Sequence, residues 1–128
     1  MSSPPPLRGV IVSHAGVAES LVAAVQSITG VADALIPVSN DGCDREALSQ
    51  VLADAVTQAP AVLFIDLPGG SCLTGAVSYA HGRSDVAVVT GVNLAMLLDF
   101  VFHRDLSPAD AARRAAAAGS KAIRIPAA

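Results

Sequence analysis

The sequence predicts an α/β protein, a three-layer α/β/α arrangement around a mainly parallel central sheet. Short, predominantly apolar runs recur at Leu7–Ser13, Ala34–Val38, Ala61–Ile65 and Val86–Val89. They do not alternate polar with apolar, which is the pattern of strands buried on both faces. Segments with helical periodicity separate them, and strands alternating with helices build a parallel sheet covered on each side.

Taken in order, Leu7 to Ser13 is the first strand, rich in β-branched residues. Val17, Leu21, Val25 and Ile28 then share one face of a helix that stops at Gly30. Ala34 to Val38 forms a second strand, followed by the polar turn Ser39-Asn40-Asp41-Gly42. Leu48, Val51, Leu52, Ala55 and Val56 follow the spacing of an amphipathic helix, which Pro60 ends. Ala61 to Ile65 is the third strand, and it breaks at Asp66 into a Pro-Gly-Gly loop. Cys72 to Ala80 reads as a short helix closed by Gly82, and Val86 to Val89 as the fourth strand. Leu94, Leu97, Leu98, Val101 and Phe102 stripe the next helix. Ser107-Pro108-Ala109-Asp110 starts another, with a serine cap, a proline in the first turn and an acid behind it. That helix ends at Gly119, and Ala122 to Ile125 supplies a last edge strand.

Bulk properties narrow the function. The chain has 128 residues, the size of one domain, and no internal repeat or linker divides it. Residues 1–6 form a flexible leader and residues 7–128 the domain. The mean hydropathy of +0.55 owes much to alanine, and no apolar run reaches the roughly 18 residues of a membrane span. Met1 to Pro6 lacks the pattern of a signal peptide. A net charge of −3 with no basic stripe argues against nucleic-acid binding. Cys43 and Cys72 stand in no metal-ligand spacing and read as reduced thiols of a cytoplasmic protein. No metal or other cofactor is expected.

His14 is the most informative residue. It closes the first strand just before a helix begins, at the rim where open α/β sheets bind ligands. Two more polar clusters fall at equivalent strand ends, Asp66-Leu67-Pro68-Gly69-Gly70-Ser71 and Thr90-Gly91-Val92-Asn93. A neutral imidazole is a good nucleophile toward phosphorus if its attacking nitrogen is bare and its other nitrogen is held by an acceptor. Asp66 is placed to be that acceptor. Gly69, Gly70 and Ser71 offer backbone N–H groups and a hydroxyl to phosphoryl oxygens at a helix start. Gly91 and Asn93 support the site from the third strand end, or simply turn the strand and cap the helix. With no acidic cluster for Mg²⁺, no G-x-x-x-x-G-K-[ST] loop and no G-x-G-x-x-G, transfer between phosphohistidines is expected rather than from a nucleotide.

On these residues the chain resembles an enzyme IIA domain of the mannose family of the bacterial phosphoenolpyruvate:sugar phosphotransferase system. The segments that carry the resemblance are Val10 to His14, Leu63 to Ser71 and Val89 to Leu97, in that order and spacing. The resemblance implies that His14 accepts a phosphoryl group from the carrier protein HPr and passes it to an enzyme IIB domain. It also implies Asp66 as the partner of that histidine and the Ser71 loop as the phosphoryl cradle. A homodimer that exchanges the strand near Ala122 to Ile125 is implied as well. Ala15 stands where the family often has glycine, Cys72 and Thr74 replace the usual proline and asparagine, and Ala95 replaces a proline. The loop departures lie where a partner docks, and with no IIB or membrane portion in the chain a regulatory carrier is as admissible as a transport one.

Besides a non-catalytic regulatory domain that binds a partner according to the phosphorylation of His14, two further readings remain open. One is the phosphocarrier subunit of a phosphotransferase-dependent dihydroxyacetone kinase, which shares the fold. The other is a hydrolase using Ser71 or Cys72 with His14 and Asp66. Leu73 breaks the G-x-S-x-G elbow that a hydrolase of this architecture would carry.

Overall fold

A computed structural model describes residues 6–42, 44–56 and 60–127. Four strands, β1 (Arg8–Ser13), β2 (Leu35–Ser39), β3 (Ala61–Ile65) and β4 (Val86–Thr90), form one parallel sheet in the order β2-β1-β3-β4. The helices are α1 (Val17–Thr29), α2 (Arg45–Val56), α3 (Ser71–Ala80), α4 (Leu94–Val101) and α5 (Pro108–Lys121). Val10 of β1 lies level with Ile36 of β2 and Leu63 of β3, and Leu63 with Val88 of β4.

The two faces of the sheet bury separate cores, because successive residues of a strand point to opposite sides. Ile11, Val62, Phe64 and Val89 pack with residues of α1, α4 and α5. Val10, Val12, Leu63 and Ile65 pack with Leu48 and Leu52 of α2 and Ala76 and Tyr79 of α3. The result is the three-layer α/β/α sandwich the sequence predicts. Phe64 and Phe100 meet edge to face at 5.1 Å on the first side. Gly9 admits this packing, since a Cβ there would stand 2.6 Å from Leu35 and 2.8 Å from Phe100.

The helix faces differ from the simplest periodic assignment. On α1 the buried residues are Ala18, Val22 and Val25, while Val17 and Ile28 are exposed. Ala18 lies against the sheet, where its small side chain lets the helix approach closely. Val51 of α2 and Phe102 beyond α4 also face outward.

The C-terminal end departs from expectation in two ways. Gly119 does not end α5. It is buried there, with room for no Cβ, which would stand 2.9 Å from Met96, and the helix runs on to Lys121. This glycine serves helix approach rather than termination. Residues 122–125 form no strand. The amides of Ala122 and Ile123 still bond back to Ala118 and Ser120, and Ile123 and Ile125 lie 78% and 83% exposed. Residues 1–5 of the expected leader and Cys43 lie outside the described residues.

Candidate functional site

The strand order places the site. The chain leaves β1 toward β2 on one side, then crosses back to β3 on the other, so the reversal lies between β1 and β3. At such a point the connections run to opposite faces and leave a crevice beyond the strand ends. Val12 is level with Ile65, so the residues that follow these strands, His14 and Asp66, emerge side by side.

Asp66 grips His14 twice. One carboxylate oxygen, Oδ2, accepts the His14 backbone N–H at 2.9 Å and lies 2.8 Å from the ring Nδ1. The other oxygen accepts the Leu67 N–H at 3.0 Å. Burial pulls the Asp66 carboxyl upward, but the His14 amide, the His14 ring and the Leu67 amide outweigh it and hold its pKa below the ordinary value. The ionised carboxylate is an acceptor only, so Nδ1 carries the hydrogen, and in the neutral form of the ring Nε2 is the bare nitrogen. The His14 side chain is 46% exposed against 13% for Asp66.

The surrounding backbone fixes this pair. Ser13 is fully buried, and its hydroxyl accepts the Ala18 N–H at 2.7 Å. It thereby caps α1, whose own N-cap residue, Gly16, has no side chain to do so. Between them Ala15 adopts φ 48°, the left-handed region that disfavours a side chain. Asn40, at the end of β2, donates its backbone N–H to the Ser13 carbonyl and its side-chain amide to Ser71 Oγ at 3.1 Å. Asn40 was legible in the sequence only as a turn residue; its place beside Ser71 depends on the β1–β2 register.

Ser71 opens α3, with Gly70 as its N-cap at φ 87°, ψ −170°, a conformation open essentially to glycine. No side chain caps this helix, which leaves its first-turn N–H groups at the open end. Cys72, one residue on, is fully buried, with its Sγ 3.9 Å from His14 Nδ1. Burial, and then the negative charge of Asp66, push its thiol pKa up to about 11. His14, Asp66 and Cys72 thus cluster, with one ligand atom from each within 4.8 Å of the others. The sequence groups these three only in the hydrolase alternative; that Sγ and the Asp66 carboxylate meet the same ring nitrogen is set by the fold.

Gly91 turns the chain at φ 73°, and Asn93 accepts the Met96 N–H and donates to the Gly119 carbonyl, tying α4 to α5. Among the described residues neither makes a hydrogen bond to His14, Asp66 or Ser71. Hollows of about 580 Å³, beside Glu46, Ser49, Tyr79 and Arg83, and about 200 Å³, beside Asn93, Met96 and Ile123, lie away from the imidazole. Neither is lined by His14, whose ring is half-exposed, and Val17 and Leu67, near His14 and Asp66 in the chain, are exposed apolar residues.

Comparison with known proteins gives a consistent picture. The profile of the family described as PTS system fructose IIA component matches residues 9–117. No curated protein matches the chain in sequence. Among solved structures, the phosphotransferase system component EIIA from Streptococcus agalactiae superposes with a TM-score of 0.85 at 18% identity, covering 93% of this chain and 96% of that one. The mannose/sorbose specific IIA subunit from Enterococcus faecalis superposes at 0.79 with 22% identity, covering 97% and 95%. A PTS IIA protein associated with the fucose utilization operon from Streptococcus pneumoniae gives 0.77 at 15% identity, covering 97% and 96%.

Proposed function

This chain belongs to the enzyme IIA family of the phosphoenolpyruvate-dependent sugar phosphotransferase system, and from that premise we propose that it is a phosphohistidine carrier with His14 as the phosphoryl acceptor. The observation that carries this role is the double grip of Asp66 on His14. The grip keeps hydrogen on Nδ1 and leaves the Nε2 lone pair for attack at phosphorus.

The chemistry follows from that geometry. Nε2 attacks the phosphorus of a phosphohistidine on HPr, the new N–P bond forms as the donor N–P bond breaks, and the donor imidazole departs neutral. The His14 ring gains positive character, which the adjacent carboxylate balances through the Nδ1–H bond. Gly69, Gly70 and Ser71 receive the phosphoryl oxygens, with α3 N–H groups and the Ser71 hydroxyl as donors. The reverse sequence hands the group to an enzyme IIB domain. A half-exposed imidazole, with exposed apolar Val17 and Leu67 close to it in the chain, suits docking of another protein. A homodimer, with the exposed segment at Ile123 and Ile125 exchanged between subunits, completes the proposal, and the cytoplasm, where the phosphoryl donors reside, is its compartment.

The hydrolase alternative fits the geometry poorly. In a nucleophile–histidine–acid triad the nucleophile and the acid use opposite ring nitrogens. Here Cys72 and Asp66 both approach Nδ1, and the thiol is held protonated. Serving a dihydroxyacetone kinase would use the same His14 chemistry with a different acceptor.

The test is incubation with phosphoenolpyruvate, enzyme I and HPr, followed by intact-mass analysis. One acid-labile phosphate that His14→Ala does not take up is expected. No phosphate from a demonstrably active HPr, or equal labelling of His14→Ala, overturns the assignment.

A further inference from the structure

We propose that His14, Asp66 and Cys72 form a binding site for a divalent transition-metal ion of the zinc type, and that filling it switches off phosphoryl acceptance at His14. The first half stands on geometry; the second deepens the carrier function proposed above and rests on it.

An imidazole nitrogen, a carboxylate oxygen and a sulfur arrive from the end of β1, the end of β3 and the first turn of α3, all within 4.8 Å of one another. A tetrahedral zinc ion holds nitrogen and oxygen at about 2.0–2.2 Å and sulfur at about 2.3 Å, so its ligand atoms stand roughly 3.3–3.7 Å apart. The separations present are 2.8 Å from Nδ1 to Oδ2 and 3.9 Å from Nδ1 to Sγ, on either side of that range. Opening the first by about half an ångström and closing the second slightly brings both into that range, and the oxygen-to-sulfur separation, no more than 4.8 Å, closes with them. The mixed sulfur, nitrogen and oxygen set favours zinc or cobalt over magnesium or calcium, which prefer oxygen alone. The His14 and Leu67 amides already orient the carboxylate, as outer hydrogen bonds do in metal sites. The half-exposed ring leaves a fourth position for water.

Binding balances as follows. The thiol gives its proton to solvent and its sulfur bonds the metal. Asp66 exchanges its hydrogen bond from the ring for a metal–oxygen bond. The ring hydrogen moves from Nδ1 to Nε2, and the Nδ1 lone pair bonds the metal. Two anionic ligands then neutralise the dication. The consequence for function lies at Nε2, which now carries a hydrogen and has no lone pair to offer phosphorus.

The test uses the full chain without an affinity tag, stripped of metal and titrated with Co²⁺ as a spectroscopic probe. One Co²⁺ per chain is expected, with a sulfur-to-metal charge-transfer band and release of one proton. Cys72→Ser should lose that band, and both it and His14→Ala, a truncation at a half-exposed position, should bind at least about 10-fold more weakly. Absence of saturable binding, or an unchanged band in Cys72→Ser, overturns the site. For the switch, phosphate uptake from phospho-HPr should cease with stoichiometric Zn²⁺ and return with a chelator. Cys72→Ser, compared with its own zinc-free rate, should need at least about 10-fold more zinc. Equal zinc sensitivity of the two proteins overturns the switch. A metal-free chain that takes no phosphate from active HPr sinks the carrier function instead, while the Co²⁺ titration still decides the site.

Discussion

Replacing Asp66 with asparagine should slow phosphoryl transfer by about 10²-fold, and the geometry shows why an isosteric change is so damaging. The carboxylate accepts three hydrogen bonds, two at Oδ2 from His14 and one at Oδ1 from Leu67. An amide has one oxygen to offer. Placed toward Leu67, it turns an NH₂ toward Nδ1, which drives the ring hydrogen onto Nε2 and removes the nucleophilic lone pair. Placed toward His14, it opposes an NH₂ to the Leu67 N–H and still lacks the negative charge that balances the ring. A hydrogen bond to a charged group contributes about 1.5–3 kcal/mol. At about 1.4 kcal/mol per factor of ten, losing it from the transition state slows the reaction roughly 10- to 150-fold, with the tautomer change adding to this. Rapid-quench transfer from phospho-HPr, read by intact mass, measures the rate directly. A variant that remains folded and transfers within about 3-fold of the parent, under 1 kcal/mol in the barrier, would make Asp66 a turn residue and refute the reasoning.

Other expectations follow from the same structure. Because the Asp66 pKa is depressed in the folded chain, its ionised form contributes stability that is fully present above the ordinary value of 3.8 and lost as pH falls through the lower folded value. The stability gap between parent and Asp66→Asn, from urea unfolding, should therefore be flat near neutrality and shrink below that pH; a gap that widens in acid contradicts it. Ala15→Gly relieves a left-handed alanine at φ 48° and should stabilise by about 0.5–1 kcal/mol after the greater chain entropy of glycine is set against it. A lowered Tm in calorimetry would be the contrary result. Ile123→Asp with Ile125→Asp should shift the chain from dimer to monomer in light scattering, since both side chains are exposed within one chain; a parent that is monomeric at high concentration, or an unchanged double variant, counts against the exchange.

The sheet was readable because buried parallel strands leave contiguous apolar runs, and Val10 to Val12 or Ala61 to Ile65 have no other reasonable explanation. His14 and Asp66 were readable for a related reason: a polar residue at the end of such a run has to emerge at the sheet rim. What periodicity could not show was which neighbour each rim residue meets. Asn40 beside Ser71, and Cys72 beneath the imidazole, depend on strand register and on the rotational phase of α3. Ser13 looked like the tail of a strand, yet its buried hydroxyl caps α1 across an intervening turn. The C-terminal segment is a different case. Ile123 and Ile125 alternate as a strand does, but a strand needs a partner, and among the described residues of one chain they pair with none; the proposed exchange between subunits would supply it.

The two margins of the sheet are not equivalent. β2 carries Pro37 at its centre, and a proline has no N–H to offer an incoming strand. β4, Val86 to Thr90, has no such guard, and among the described residues it pairs on one side only. Edge-on growth is therefore biased: a visiting strand can lengthen the ladder beside β4 without a break, while at the opposite margin it meets a missing donor at Pro37. A sheet built this way has one unbroken margin. Its free backbone groups favour an added strand at the β4 margin over one at the β2 margin.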